Sequence, residues 1–344
     1  KELSTAQQQM VAITRALAFD AEIIIMDEPT SAITDREVEQ LFRIIRKLKK
    51  QNKAIVYISH KMDEIYTLTD RITVFRDGSL IGTVATSEVT PEKLINMMVG
   101  RELNDVYIKT SEKTVEYDEN EILLKVDNLT RKNEFYNISF NVKRGEILGF
   151  FGLMGAGRTE VMDTIFGLRK ADKGTVILKN KEMGSVKKAI SNGMAYITED
   201  RKASGLNLIG SVKDNISIAY MNLITKGKFL LDFKKEKKIC DNLIEKIQIK
   251  CASHDTLAGN LSGGNQQKIV IAKWFMGNPD LLIMDEPTRG IDIGAKAEIY
   301  KLMDMLAKSG KSIIMISSET PELLGMSDRV IVMHEGYQTG EFKC

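Results

Sequence analysis

Met26-Asp27-Glu28-Pro29-Thr30 recurs 258 residues later as Met284-Asp285-Glu286-Pro287-Thr288, and the same offset aligns Leu3-Ser4 with Leu261-Ser262, Ile58-Ser59 with Ile316-Ser317 and Asp70-Arg71 with Asp328-Arg329. A register held that long without insertion marks a duplicated unit, so two like domains are expected. The 344 residues exceed the usual single-domain size, and 43% hydrophobic content supplies a core for each copy.

Charge is nearly balanced, 49 Lys and Arg against 47 Asp and Glu, which gives no footing for nucleic acid as a main partner. Cys240, Cys251 and Cys344 are odd in number and lack CxxC spacing, which argues against a disulfide framework or zinc site and fits a reducing, cytoplasmic setting. Apolar runs such as Ile23 to Met26 and Ile313 to Ile316 are strand-length, far below the roughly 18 residues a membrane span needs. Any membrane role is expected to come through a partner.

In the second copy Glu146-Ile-Leu-Gly-Phe-Phe reads as a buried strand entering a glycine turn, and Val161, Ile165 and Leu168 have helical spacing. Leu281 to Met284 and Ser312 to Ile316 are further apolar strands, separated by the helix-prone Ala295 to Lys308, so a parallel sheet wrapped by helices is expected. The polar stretch Thr110 to Asn120 reads as a linker. Apolar residues at helical spacing in a basic background between Lys213 and Lys250 predict a helical subdomain at about 206–262, and the Lys-rich run at 234–238 reads as its solvated face.

Three strings carry chemistry. Gly152-Leu-Met-Gly155-Ala156-Gly157-Arg158-Thr159-Glu160 follows a strand and opens a helix, the context of a phosphate-cradling loop whose threonine can offer its hydroxyl to Mg²⁺. An ordinary turn would explain the glycines but not the acidic pair that follows downstream. Asp285 and Glu286 end an apolar strand, one placed to hold Mg²⁺ and the next to polarise an attacking water. Asn260-Leu261-Ser262-Gly263-Gly264-Asn265-Gln266-Gln267 precedes an apolar helix, so Ser262 and both glycine amides are expected at an anion-favouring N-terminus. Phe135 or Tyr136, upstream of the loop, is a candidate adenine-stacking residue.

That last string resembles the signature motif of ATP-binding cassette (ABC) ATPases, and Gly152–Thr159, Asp285-Glu286 and Ser318 fall where the family has its Walker A, Walker B and switch-histidine elements. The resemblance covers almost the whole chain. With Ile197-Thr-Glu199-Asp200-Arg201-Lys202 and Met97-Met-Val-Gly-Arg101, it extends to the twin-cassette ATPase subunits of bacterial monosaccharide importers of the galactose, ribose and xylose type, the galactose/methyl-galactoside group above all. It implies P-loop NTPase cassettes in tandem with a parallel sheet core, a helical subdomain and smaller β elements. It further implies ATP and Mg²⁺ as ligands, an integral-membrane sugar permease and, indirectly, a sugar-binding protein as partners, and a place on the cytoplasmic face of the membrane. The expected domains are the C-terminal part of a first cassette at 1–105, a linker at 106–120 and a second cassette at 121–344.

The family's cassettes face each other head to tail, so each site is expected to combine one copy's phosphate loop with the other's signature. One site then pairs Gly152–Glu160, Asp285, Glu286 and Ser318 with Ser4. It departs from the family at Arg158, where the motif has Lys, at Thr5-Ala6 for the two glycines and at Ser318 for the switch histidine. Glu199 stands where many cassettes place a metal-reaching Gln. This site is expected to hold ATP and turn it over slowly. The other site would use Ser262, Gly263 and Gly264 with Asp27 for Mg²⁺, Glu28 for the water and His60 for the γ-phosphate. Its phosphate loop would lie ahead of Lys1, so the resemblance predicts roughly 137 preceding residues and a further C-terminal helix in a parent protein, with low activity for this chain alone. A nucleotide-binding regulatory module without turnover and a twin-cassette ATPase of translation are the alternatives.

Overall fold

The computed structural model describes residues 11, 14–15, 21–30, 35–59, 61–76, 78–99, 118, 120–153, 155–226 and 230–344. The chain divides into two compact units, Lys1–Leu103 and Asn104–Cys344. The expected roles of Ser4, Thr5, Ala6 and His60 lie outside the described residues.

The first unit runs β1 (Ile23–Asp27), α1 (Asp35–Lys50), β2 (Ala54–Ile58), α2 (Met62–Leu68), β3 (Arg71–Arg76), β4 (Ser79–Ala85) and α3 (Pro91–Val99). β1 and β2 pair in parallel, and β3 and β4 form an antiparallel hairpin. On β1 alternate side chains differ in burial because only one face is covered: Ile24 and Met26 pack on Leu41 and Ile45 of α1. Ile23 and Ile25 of β1, with Val56 and Ile58 of β2, are exposed.

The second unit runs β5 (Ile122–Arg131), β6 (Phe135–Lys143), β7 (Ile147–Phe151), α4 (Arg158–Phe166), β8 (Lys173–Leu178), β9 (Lys181–Glu182), α5 (Val186–Ser191) and β10 (Met194–Ile197). A π-helical turn, Arg201–Gly205, leads to α6 (Val212–Ser217), the small pair β11 (Thr225–Lys226) and β12 (Leu230–Leu231), α7 (Phe233–Ile247) and α8 (Gly263–Phe275). β13 (Leu281–Asp285), α9 (Ile293–Lys308), β14 (Ser312–Ile316), α10 (Thr320–Met326), β15 (Arg329–His334) and β16 (Tyr337–Lys343) complete it. Ten strands join in the order β10-β13-β14-β7-β15-β16-β6-β5-β8-β9. The sheet is therefore mixed: β10 to β15 pair in parallel, while β5, β6, β8 and β9 form an antiparallel part. One ladder pairing, Tyr337 with Tyr136, joins these parts, with Tyr136 donating its amide to the Gly336 carbonyl at 2.8 Å.

β13 and β14 are buried throughout because both faces are covered, which is why they read as unbroken apolar runs. Leu282, Met284, Ile313 and Met315 face one cluster with α8 and α9; Leu281, Ile283, Ile314 and Ile316 face the other with Val161, Met162 and Ile165 of α4.

The sequence offset reappears as local geometry. Ile23 pairs with Ala54 and Asp27 with Ile58 in one unit, and Leu281 with Ser312 and Asp285 with Ile316 in the other. Behind each acidic pair sits a buried glutamate. Glu64 accepts from Thr30 at 2.6 Å and Ser59 at 3.0 Å, and Glu322 accepts from Thr288 at 2.6 Å and from Ser317. Their titration shifts in opposite directions. Burial pushes both carboxyls up, but Glu64 also accepts from Tyr57 and lies 3.2 Å from the Lys61 ammonium, and these hold it below its ordinary value. At the corresponding positions the second unit has Met315 and Glu319, so burial prevails and Glu322 is raised.

Glu322→Ala would leave two buried hydroxyls without their acceptor, and is expected to cost about 2–4 kcal/mol of stability. Urea unfolding followed by tryptophan fluorescence checks it, since Trp274 lies in the same unit.

Candidate functional site

β7 carries its chain from the middle of the sheet into a loop whose backbone is packed closely on β15. A Cβ at Gly152 would lie 2.5 Å from the Met333 carbonyl oxygen, so only glycine fits there. Gly157, in the left-handed region at φ 92°, starts α4 and turns the amides of Arg158 and Thr159 to the head of that helix. Ala156 is buried beside them, and Glu160 lies in the first helical turn.

Thr159 Oγ1 donates to Asp285 Oδ2 at 2.7 Å, joining the loop to the end of β13, two strands away in the sheet. Asp285 is 1% exposed, and burial lifts its pKa to about 6 against the opposing effects of the Thr159 hydroxyl and the Arg158 charge. Glu286 adopts φ 48°, a strained left-handed conformation for a side chain of its size, held by its amide's hydrogen bond to the Ile316 carbonyl at 2.9 Å. Burial pushes Glu286 up to about 7, with Arg158 opposing. Glu28 repeats this conformation in the first unit, at φ 41° with its amide on the Ile58 carbonyl, beside Asp27 at the end of β1.

Arg158 turns toward the acidic pair. Its Nη2 lies 3.9 Å from Glu286 Oε1, and Nη1 donates to the Ser317 carbonyl at 3.2 Å. Ser318 Oγ donates to Glu286 Oε2 at 3.3 Å. The structure thus brings Arg158, Thr159, Asp285, Glu286 and Ser318 together. A buried hydroxyl–carboxylate pair with a raised pKa fits a divalent cation, because positive charge there would offset the desolvation that now favours the protonated acid.

Other expected residues fall elsewhere or act differently. The Glu199 carboxylate is engaged by Arg289 in an ion pair, so as a metal ligand it would first have to leave that partner. Ser262 does stand at the N-terminus of α8, but its side chain caps no backbone amide; Oγ accepts from Asn265 Nδ2 at 3.0 Å. Gly264 has a packing reason to be glycine, since a Cβ would lie 2.4 Å from that of Ala295, whereas Gly263 borders Arg201. Of the two aromatic candidates, Phe135 is wholly buried in the core, which removes it, and Tyr136 stacks on Tyr337 with ring centroids 5.2 Å apart. Sequence reasoning missed Arg289 and the buried glutamates. The register held signals for both: Arg289 aligns with Ser31, and Glu64 with Glu322.

A glycine loop between a buried parallel strand and a helix, bonded through its threonine to an Asp-Glu pair two strands away in the sheet, defines an ATP-binding cassette of the P-loop class. A family model described as ABC transporter matches residues 135–289. A putative ribose/galactose/methyl galactoside import ATP-binding protein of Geobacillus kaustophilus is 52% identical over 99% of this chain and 67% of its own length. A galactose/methyl galactoside import ATP-binding protein of Photobacterium profundum is 49% identical, and a ribose import ATP-binding protein of Oceanobacillus iheyensis 48%, each over 99% of this chain and 68% of its own length. The chain belongs to the import ATP-binding proteins of the ABC transporter family, and spans about two thirds of the length of these relatives. The fold is also that of a nucleotide-free ATP-binding cassette, at TM-score 0.55 and 22% identity over 64% of this chain and 91% of that one. A dimeric cassette bound to ADP and phosphate matches at TM-score 0.55 and 20% identity, over 64% and 98%.

Both acidic residues keep their protons to higher pH in the fold than in an unfolded chain. The stability they contribute is therefore full in acid and lost as pH rises through about 6 and about 7. The nucleotide-free protein is expected to melt at lower temperature as pH rises from about 5 to about 8, and Asp285→Asn to flatten that slope. Thermal melts across this interval check it; a rising melting temperature would contradict the assignment.

Proposed function

We propose that this chain is the ATP-hydrolysing part of an importer for a monosaccharide, galactose or methyl galactoside in the first place and ribose as the neighbouring class. The observation that supports the reading most is the 2.7 Å bond between Thr159 and Asp285, which joins the glycine loop to the carboxylate that would hold Mg²⁺. The identity with the Geobacillus, Photobacterium and Oceanobacillus proteins supports the sugar class. No helix among the described residues is long and apolar enough to cross a membrane, so the transported sugar would pass through a separate integral-membrane permease, fed by a sugar-binding protein. The ATPase would sit peripherally on the cytoplasmic face.

Each group has a distinct part in the reaction. Glycine amides at the head of α4 bind and orient the phosphates. Thr159 and Asp285 would hold Mg²⁺, which when bound would supply positive charge against the phosphates. Glu286 orients the attacking water. Arg158 supplies charge to the phosphates, but its guanidinium also engages Glu286 and the Ser317 carbonyl. A water-orienting carboxylate so occupied supports slow turnover here, with Ser318 too short to replace an imidazole.

We further propose the tandem reading: first-cassette residues at 1–105, a linker at 106–120 and a second cassette at 121–344. The equal strand registers at offset 258 support it. Cassettes would work head to tail, with Ser262, Gly263 and Gly264 serving a facing phosphate loop. In the first copy Glu28, Asp27 and His60 would form the competent hydrolytic set.

Thr159→Val keeps the side-chain shape and loses the hydroxyl. It is expected to weaken the Mg²⁺-dependent part of ATP binding by at least about tenfold, as titration calorimetry with and without the metal would show. Equal affinities in the two proteins would remove the metal assignment. Arg158→Lys is expected to alter ATP affinity less than about tenfold and leave phosphate release slow. Full turnover restored by that one change would refute the account of the slow site.

A further inference from the structure

Arg201 occupies a junction that neither the phosphate loop nor the metal site accounts for. It opens the π-helical turn Arg201–Gly205 that follows β10. Its Nη1 donates to the Arg289 carbonyl at 2.7 Å and its Nη2 to the Gly290 carbonyl at 3.0 Å, while Nε is buried with no hydrogen-bond partner among the described residues. Those carbonyls belong to the turn that directly follows Glu286, closed by the Arg289 amide on the Glu286 carbonyl at 3.1 Å. The ion pair of Glu199 with Arg289 adds a second tie between the same two segments.

The nitrogen that bonds Gly290 also meets the signature. A Cβ built on Gly263 would lie 2.9 Å from Arg201 Nη2 and 3.2 Å from the Gly290 carbonyl oxygen. The far end of the turn is also fixed to α8: the buried Lys273 ammonium donates to the Gly205 carbonyl at 2.6 Å, and Gly205 packs against Val270. Within the turn, Asp200 Oδ1 accepts from the amides of Lys202 at 2.9 Å and Ala203 at 3.0 Å, which stiffens it. A continuous set of hydrogen bonds and packed groups therefore runs from the Glu286 turn to the helix that carries Ser262 and Gly263. The first copy has Ser31-Ala32 in place of Arg289-Gly290, so the Glu199 pair has no sequence counterpart there.

We propose that Arg201 is a positioning residue that couples the Glu286 turn to the N-terminus of α8, so that nucleotide at the phosphate loop changes how Ser262 and Gly263 are presented to a facing cassette. This rests on the head-to-tail reading above. A slow site then still matters to transport, because its occupancy sets the signature offered to the other site. A lysine at this position would keep the charge but offer one nitrogen in place of the two spaced ones with which the planar guanidinium meets the two carbonyls.

Amide hydrogen exchange of the whole chain, with and without Mg-ATP, tests this. In the unaltered protein, nucleotide is expected to slow exchange at 155–164, at 285–291 and at 261–267. In Arg201→Lys the slowing at 155–164 is expected to persist within about twofold, while the nucleotide-dependent slowing at 261–267 falls by about fivefold or more. A purely structural role would instead raise exchange at 261–267 equally with and without nucleotide, and that result overturns the proposal. Retention of the full nucleotide response at 261–267 overturns it too. Absence of slowing at 155–164 in the unaltered protein would remove the nucleotide reading itself, and the coupling with it. Gly263→Ala gives a second approach that leaves Arg201 in place: its methyl group presses on the guanidinium from the signature side, and the same selective loss is expected.

Discussion

Two core layers meet at β13, and the carboxylate this strand carries into the interior has to be accommodated by everything around it. Leaving an ion buried without compensation costs several kcal/mol, whereas one hydrogen bond to a charged group returns about 1.5–3 kcal/mol. The Thr159 hydroxyl alone is therefore not enough, and Asp285 titrates near 6. The deficit gives the site its chemistry, because positive charge beside Asp285 is favoured over bulk water. The glycine loop serves the same end: with Gly152 packed on the Met333 carbonyl, Thr159 is held within reach of the acid.

The two units show how a shared backbone pattern can carry different electrostatics. Both place an acidic pair at the end of a parallel strand, both hold the second acid in a left-handed conformation, and both support it with hydroxyls on a buried glutamate. The exchange of Tyr57 and Lys61 for Met315 and Glu319 nevertheless reverses the direction in which that glutamate titrates. Backbone geometry survives such changes because it is set by ladder hydrogen bonds and apolar alternation, whereas a pKa depends on a few polar atoms nearby.

The same distinction explains what is legible in the sequence. Strands such as Leu281–Asp285 and Ser312–Ile316 announce themselves because burial on both faces demands continuous apolar residues. The Gly152–Thr159 loop can be read because its glycines and threonine follow a strand and open a helix. Arg201 cannot, since its acceptors are main-chain carbonyls 88 and 89 residues away, and any residue supplies a carbonyl. The position of Ser262 and Gly264 in the chain suggests anion binding, but the structure gives the serine hydroxyl to Asn265 and the glycine to the close approach of Ala295. Nothing in the sequence separates Phe135 from an exposed aromatic; only the pleat of β6 turns it into the core.

The joint between β16 and β6 has a mechanical meaning. One ladder pairing spans it, and side chains do much of the remaining stitching: Gln338 accepts from the Ser139 amide at 3.3 Å, and Arg329 donates to the Asn141 carbonyl at 2.8 Å. Neighbouring strands elsewhere in the parallel part share at least four paired residues. The backbone ladder is thus thinnest along this line, where the rings of Tyr136 and Tyr337 stack and the buried side chains of β6 pack against β7 and β15. Gly157 of the phosphate loop and Gly336 both lie close against the Glu134 carbonyl. The shape of the phosphate cradle is therefore tied, through these two glycines, to the turn that joins β5 to β6.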